Sequence, residues 1–355
     1  MIKSLDGLRA LAIGLVVLSH AGFHLEGKIG VEAFFVISGF LITKNLLDEY
    51  KAVGSVSFRN FYIRRFSRLF PALVLVAIST TIFLVIVGEF KSSYISSLVY
   101  MLTFTTDLWI WLGSEKITHF FNFSWSLGVE EQFYLVWPVI LLFVIRLKRM
   151  QKPLLVLLCF GVILLSFFWR LAHSGPNHSV EALFFGPIAH LGALAGGCLV
   201  AFPATSRFFL QCKERFPRAM TLTGWSCLIG LVYVSHYPSP VPFGLDESAL
   251  LFASGASIIL VGYLVNNETD FLARVFGSKL LVLVGRLSYT LYLFNIIFFE
   301  VTQLILKKNL AEFGSTELAV MLVLLAIFCH LVYRFYEMPL RKMINTRQLP
   351  GVVRS

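Results

Sequence analysis

Residues 4–23, SLDGLRALAIGLVVLSHAGF, decide what kind of protein this is. The stretch is apolar enough to enter a bilayer, yet it carries Arg9 near one end and His20 near the other. Eleven helical steps at about 100° return to within about 20° of the starting direction and advance roughly 16 Å. Both side chains therefore line one face, about half a bilayer apart. Ionisable residues within a spanning helix are costly and by default mark a site. The plainer use is interfacial: Arg9 snorkelling to the cytoplasmic side and His20 resting at the outer one.

Composition agrees with a membrane setting. Of 355 residues, 57% are hydrophobic and 14% charged, and the mean hydropathy is +0.79, values that exclude a soluble domain. A net charge of +10 would suggest nucleic acid in a soluble chain, but here the basic residues fall in short loops between apolar runs and report orientation, so no nucleic-acid partner is expected. Cys159, Cys198, Cys212, Cys227 and Cys329 lie in or beside apolar segments without CxxC spacing, so they read as packing residues, neither disulfides nor metal ligands. The first segment lacks an A-x-A site and is expected to stay attached as a signal anchor.

A span needs roughly 20 apolar residues. The expected fold is an all-α polytopic transmembrane bundle of about ten spanning helices, near 8–24, 29–47, 70–88, 125–145, 154–171, 183–202, 219–236, 248–265, 286–306 and 317–335. Segment 94–112 is apolar but carries Thr103, Thr105, Thr106 and Asp107. If it does not cross and both termini are cytoplasmic, 24 of the 30 Lys and Arg residues face inward; if it crosses, only 12 do. The positive-inside rule favours the first arrangement. Segment 94–112 is thus expected to be re-entrant or peripheral, packed beside a cavity where its backbone is satisfied. Residues 1–342 read as one integral-membrane domain and 343–355 as a short cytoplasmic tail.

Three further stretches carry candidate chemistry. In EGKIGVEAFFVISGFLIT (26–43) a tight connection returns the second span beside the first, packed through Ser38 and Gly39. This sets Glu32 near the depth of His20, where a carboxylate could accept the imidazole N–H, or face water at the interface. SFRNFYIRRFSRLFPAL (57–73) puts Arg64 and Arg68 four apart and Arg65 and Arg68 three apart. These are guanidinium forks on one helical side, suited to the phosphates of a cytoplasmic donor, or topology signals only. Pro71 reads as a first-turn proline, making the basic stretch its own element. In NFSWSLGVEEQFYLVWP (122–138) Ser126, Glu130 and Tyr134 recur every four residues on one face, with Glu131 about 100° away.

With these residues in view the chain resembles the acyltransferase 3 family, integral-membrane acyltransferases that modify hydroxyls, often on bacterial cell-surface sugars. The resemblance rests on LDGLRALAIGLVVLSH (5–20), GVEAFFVISGFLIT (30–43), FYIRRFSRLFPAL (61–73), FSWSLGVEEQFYLVWP (123–138) and GRLSYTLYLFN (285–295), with RFYEMPLRK (334–342) as a weaker sixth block. It implies that His20 is the catalytic residue of an Arg-ten-His signature shared with Arg9. It further implies that Arg65 and Arg68, with Arg64 beside them, handle acyl-coenzyme A, and that Glu130 is the motif glutamate of the catalytic group. Two departures stand out: Glu32 where the family commonly has Asp, and Asn295 where it usually has His, a position that here cannot act as acid or base.

The resemblance and the residues together lead to one expectation. A multi-pass protein of the bacterial cytoplasmic (inner) membrane moves an acyl group, most simply acetyl from acetyl-coenzyme A, to a carbohydrate hydroxyl such as an O-antigen or exopolysaccharide, with no metal. His20 would be general base or acyl carrier. Asp6 would partner Arg9, and Glu32, Ser126 and Tyr134 would support the site. Some relatives fuse an extracytoplasmic SGNH-type domain; this sequence is expected to work without one. A glycan or lipid flippase without acyl chemistry is the alternative, disfavoured by the lack of an inverted repeat and by charges concentrated in the first four spans.

Overall fold

A computed structural model describes residues 2–113, 117, 119–147, 151–173, 184–237 and 246–348. Those residues are helical with no strand among them. The elements are α1 (Lys3–His20), α2 (Lys28–Val53), α3 (Phe58–Ile86), α4 (Ser92–Leu102), α5 (Thr106–Trp111), α6 (His119–Asn122), α7 (Trp125–Arg146), α8 (Gln151–His173), α9 (Pro187–Ala201), α10 (Pro203–Arg215), α11 (Pro217–His236), α12 (Asp246–Asn266), α13 (Phe271–Phe276), α14 (Lys279–Leu306), α15 (Ser315–Val332) and α16 (Met338–Gln348). Prolines open α9, α10 and α11, where a missing N–H costs nothing. Of the tail, residues 349–355 lie outside the described residues.

Seven described helices are long and apolar enough to cross a membrane, or eight if α9 and α10, bent by 71°, form one broken span. The expected count of about ten is thus met only in part by length and composition. α1 is held back by Lys3, Asp6 and Arg9, and α11 by its Thr, Ser, Trp and His content. α2 is the most enclosed span, buried on several faces through Ile29, Val36, Ile37 and Phe40. α15 presents Val320, Val323, Leu324 and Ile327 outward, an apolar face fit for lipid.

α1 is wedged between α2 and α14. A Cβ on Gly285 would meet the Asp6 carbonyl oxygen at 1.7 Å, and one on Gly30 would meet that of Ala12 at 2.3 Å. Only glycine permits these backbone approaches. Gly39, expected against α1, backs instead onto the Leu194 carbonyl of α9, because it lies nine residues along from Gly30 and so about 180° around the helix.

Segment 94–112 is broken into α4 and α5 at Phe104, whose φ is 55°. Eleven and six residues reach roughly 16 and 9 Å, too short for either to cross a core of about 30 Å. Gln132 of α7 satisfies the break, donating through Nε2 to the Phe104 carbonyl at 3.2 Å and to Asp107 at 3.0 and 3.1 Å. Burial pushes the Asp107 carboxyl up to about 6.

The basic stretch is not a separate element: α3 runs unbroken through Pro71. A second internal proline, Pro138, frees carbonyls one turn back in α7. The Tyr62 hydroxyl of α3 serves them, lying 3.3 Å from both the Tyr134 and Leu135 oxygens. This tie holds α3 and α7 together where both carry their charged residues.

Candidate active site

Two cavities meet in the bundle. The larger, about 880 Å³, runs from the α2–α3 connection inward and is lined by Arg9, Arg64, Arg65, Arg68, Ser126, Glu130 and Tyr134, among others. The smaller, about 220 Å³, contains His20 with Ser19, Glu26, Trp125 and Phe184 on its walls. Val31 and Tyr292 line both and so form the partition. Arg9 and His20, on one stripe of α1, thus serve different chambers.

His20 ends α1, and its Nδ1 lies 2.5 Å from Asn295 Oδ1 on α14. The amide cannot be turned over without loss, since its Nδ2 donates to the Leu291 carbonyl at 2.9 Å and to the Tyr292 carbonyl at 2.8 Å. An oxygen facing the imidazole makes Nδ1 the protonated nitrogen and leaves the Nε2 lone pair free. Asn295, noted in the sequence only as a departure, is fully buried and orients this ring.

Glu32 does not reach His20. It accepts from Arg170 Nη2 at 2.7 Å, lies 2.7 Å from His190 Nδ1, and accepts from the Ser254 hydroxyl at 2.6 Å. The other His190 nitrogen lies 2.7 Å from the Phe184 carbonyl. The His190 ring packs against Trp125 and Phe184 at 4.9 and 5.0 Å, so the network backs the aromatic wall of the His20 chamber. Arg170 and His190 were legible as ionisable residues within apolar spans, but their partner lies 138 and 158 residues away.

In the large cavity Ser126, Glu130 and Tyr134 share a wall, as their period predicts. Glu130 accepts from Tyr134 at 2.7 Å and from Ser38. Arg65 is committed to Glu131, with Nε at 2.6 Å, lies 3.5 Å from Glu130, and stacks over the Tyr134 ring at 3.2 Å. Arg64 pairs with Glu49 at 3.0 Å, and Arg9 with Asp6 at 3.6 Å; Asp6 also meets Arg286 at 3.8 Å. Arg68 makes no ion pair among the described residues. Ser126 lies 2.6 Å from the Tyr292 hydroxyl, which donates to the Phe123 carbonyl at 2.7 Å and is thereby held in the partition. Among the described residues no group of His, Cys, Asp and Glu is placed to hold a metal.

The chain is similar along most of its length to several O-acetyltransferases. The chain is 29% identical over 358 residues to the peptidoglycan O-acetyltransferase of Listeria monocytogenes, covering 96% of this chain and 56% of that protein. It is 28% identical over 365 residues to a candidate peptidoglycan O-acetyltransferase of Bacillus subtilis, covering 96% and 55%. It is 29% identical over 363 residues to a candidate O-acetyltransferase of Staphylococcus aureus, covering 96% and 57%. The chain therefore spans a little over half the length of the curated relatives it matches. No solved structure matches it. The acyltransferase domain model matches residues 2–334, which takes in every charged residue of both chambers except Arg341, and the chain belongs to the acyltransferase 3 family.

Proposed function

We propose that this protein is a membrane O-acyltransferase that takes an acetyl group from cytoplasmic acetyl-coenzyme A and places it on a hydroxyl of a cell-surface or lipid-linked carbohydrate. The observation that carries the reading is the pair of chambers on one helix, with arginines in the larger and His20 in the smaller, meeting at Val31 and Tyr292. A phosphorylated thioester suits the first chamber in size and charge. Its mouth lies at the α2–α3 connection, which the distribution of Lys and Arg assigns to the cytoplasm. The names of the relatives support a glycan as acceptor.

In the reaction the donor's thioester reaches past the partition to the His20 chamber. His20 Nε2 removes the proton of the acceptor hydroxyl as its oxygen attacks the thioester carbonyl; the C–O bond forms, the C–S bond breaks, and the imidazolium returns the proton to the leaving thiolate. General-base help of this kind contributes about 10²- to 10⁴-fold. Asn295 keeps Nδ1 protonated throughout. Arg9, about 16 Å from His20 along the helix, holds the donor rather than touching the reacting carbonyl, and Glu130 and Tyr134 fix Arg65 on the cavity wall.

The purified chain in detergent or liposomes, given radiolabelled acetyl-coenzyme A and a glycan acceptor, should form acetyl ester with release of coenzyme A. A flippase would leave the label on the donor. Surface glycans of a deletion strain should lose ester groups that the wild-type strain carries.

A further inference from the structure

Arg341 lies in the closing block RFYEMPLRK, to which the sequence attached no role. α15 does not run straight into α16, because Tyr333–Glu337 forms a π-helical turn. Such a turn shifts the face presented by everything beyond it, and such turns are frequent at functional sites. At the last residue of the turn and again eight residues on, the chain is pinned. Glu337, buried, accepts from the Thr290 hydroxyl of α14 at 2.5 Å. Asn345 accepts from Ser67 of α3 at 3.0 Å, and Ser67 is the neighbour of Arg68. Arg341 falls between them, four residues from each, and lines the large cavity.

Among the arginines of that cavity, Arg9, Arg64 and Arg65 each have a carboxylate within 4 Å. Arg68 and Arg341 have none among the described residues, and they are close enough to repel each other. Glu337 feels both charges but stands beyond ion-pair distance and already serves Thr290. Two like-charged forks that line one cavity without a protein counter-ion among the described residues repel each other, and an anion bound between them relieves that repulsion.

We infer that Arg341 and Arg68 form an anion site that takes a phosphate group at the nucleotide end of the donor, so that the last helix closes the donor chamber. The inference rests on the donor reading proposed above. The guanidinium pair presents two planar sets of donors to one tetrahedral oxyanion, the geometry for which arginine is suited over lysine.

The test compares the purified full chain with its Arg341→Gln, Arg341→Lys and Lys342→Gln variants, using acetyl-coenzyme A, its analogue lacking the 3′-phosphate, and acetyl-pantetheine. Arg341→Gln should raise the KM for acetyl-coenzyme A about tenfold or more and leave that for acetyl-pantetheine unchanged. Arg341→Lys should fall between, and Lys342→Gln, exposed and outside the cavity, should match wild type. If the penalty disappears with the analogue, the 3′-phosphate is the group held; if it persists there, the diphosphate is. A penalty equal for all three donors, or none, overturns the inference. Thermal stabilisation by inorganic pyrophosphate gives a readout apart from turnover. Wild type should be stabilised and Arg341→Gln not, and equal stabilisation of the two overturns the anion site. Absence of acetyl-coenzyme A turnover in wild type with that difference intact overturns the donor reading alone.

Discussion

Asn295 fixes the working edge of His20: its Oδ1 lies 2.5 Å from Nδ1, and two main-chain carbonyls hold the amide in that sense. The position is therefore placed to orient the proposed base without itself titrating. Asn295→Ala should leave donor and acceptor KM unchanged and lower kcat about tenfold, the cost of one orienting hydrogen bond. Asn295→Asp keeps an acceptor toward Nδ1 but turns a second oxygen toward the Leu291 and Tyr292 carbonyls, so it should recover only part of the rate. Steady-state kinetics on equal amounts of folded protein check both, and a wild-type kcat in Asn295→Ala would deny the orienting role.

The Glu32 network should be structural. Glu32→Ala leaves Arg170 and His190, both buried, facing a lost carboxylate. Breaking a buried charge pair in this way costs about 3 to 5 kcal/mol. Thermal unfolding in detergent should show a large drop. An unchanged midpoint would mean that the network does not hold α2, α8, α9 and α12 together.

Asp107 gives a pH signature to the broken segment. Its carboxyl is pushed up to about 6 by burial, from an ordinary 3.8, so the folded state holds the proton more tightly than the unfolded one. Stability therefore falls as the pH rises from about 4 to 6 and stays lower above that, by about 3 kcal/mol at 1.36 kcal/mol per unit. Asp107→Asn removes the penalty. The variant should melt above wild type at pH 7.5, with the gap shrinking toward pH 4.5. A gap independent of pH would contradict the burial of an ionisable carboxyl there.

Topology follows from the charge count. Cytoplasm-active reporters fused after Gly54 and after Arg218 should be active, and an exported reporter should be active after Gly113, between the broken segment and α7. An exported reporter active after Arg218 would reverse the depth of every span beyond α3.

Much of this site was legible because it lies on single helices. The eleven-residue interval of Arg9 and His20 and the four-residue interval of Ser126, Glu130 and Tyr134 fix faces from spacing alone. What spacing cannot supply is which face meets which. Glu32 was read toward His20 because a short loop joins their helices, yet its partners sit on α8, α9 and α12. Arg65 has a suitable fork for phosphate but is committed to Glu131, 66 residues away. The proline at 71 reads as a helix start, whereas α3 carries it internally. The division into two chambers by Tyr292 and Val31 depends on three helices meeting and has no local signal.

The central claim is that the His20 imidazole performs the transfer, and the most direct measurement is acetyl transfer by His20→Ala beside His24→Ala at equal protein level. His24 lies in the loop after α1, outside both chambers, its carbonyl 3.1 Å from His236 Nδ1. The account predicts that His20→Ala still folds and inserts and loses about 10²- to 10⁴-fold in kcat, while His24→Ala keeps wild-type rates. Wild-type transfer by His20→Ala, or a greater loss in His24→Ala, would contradict it.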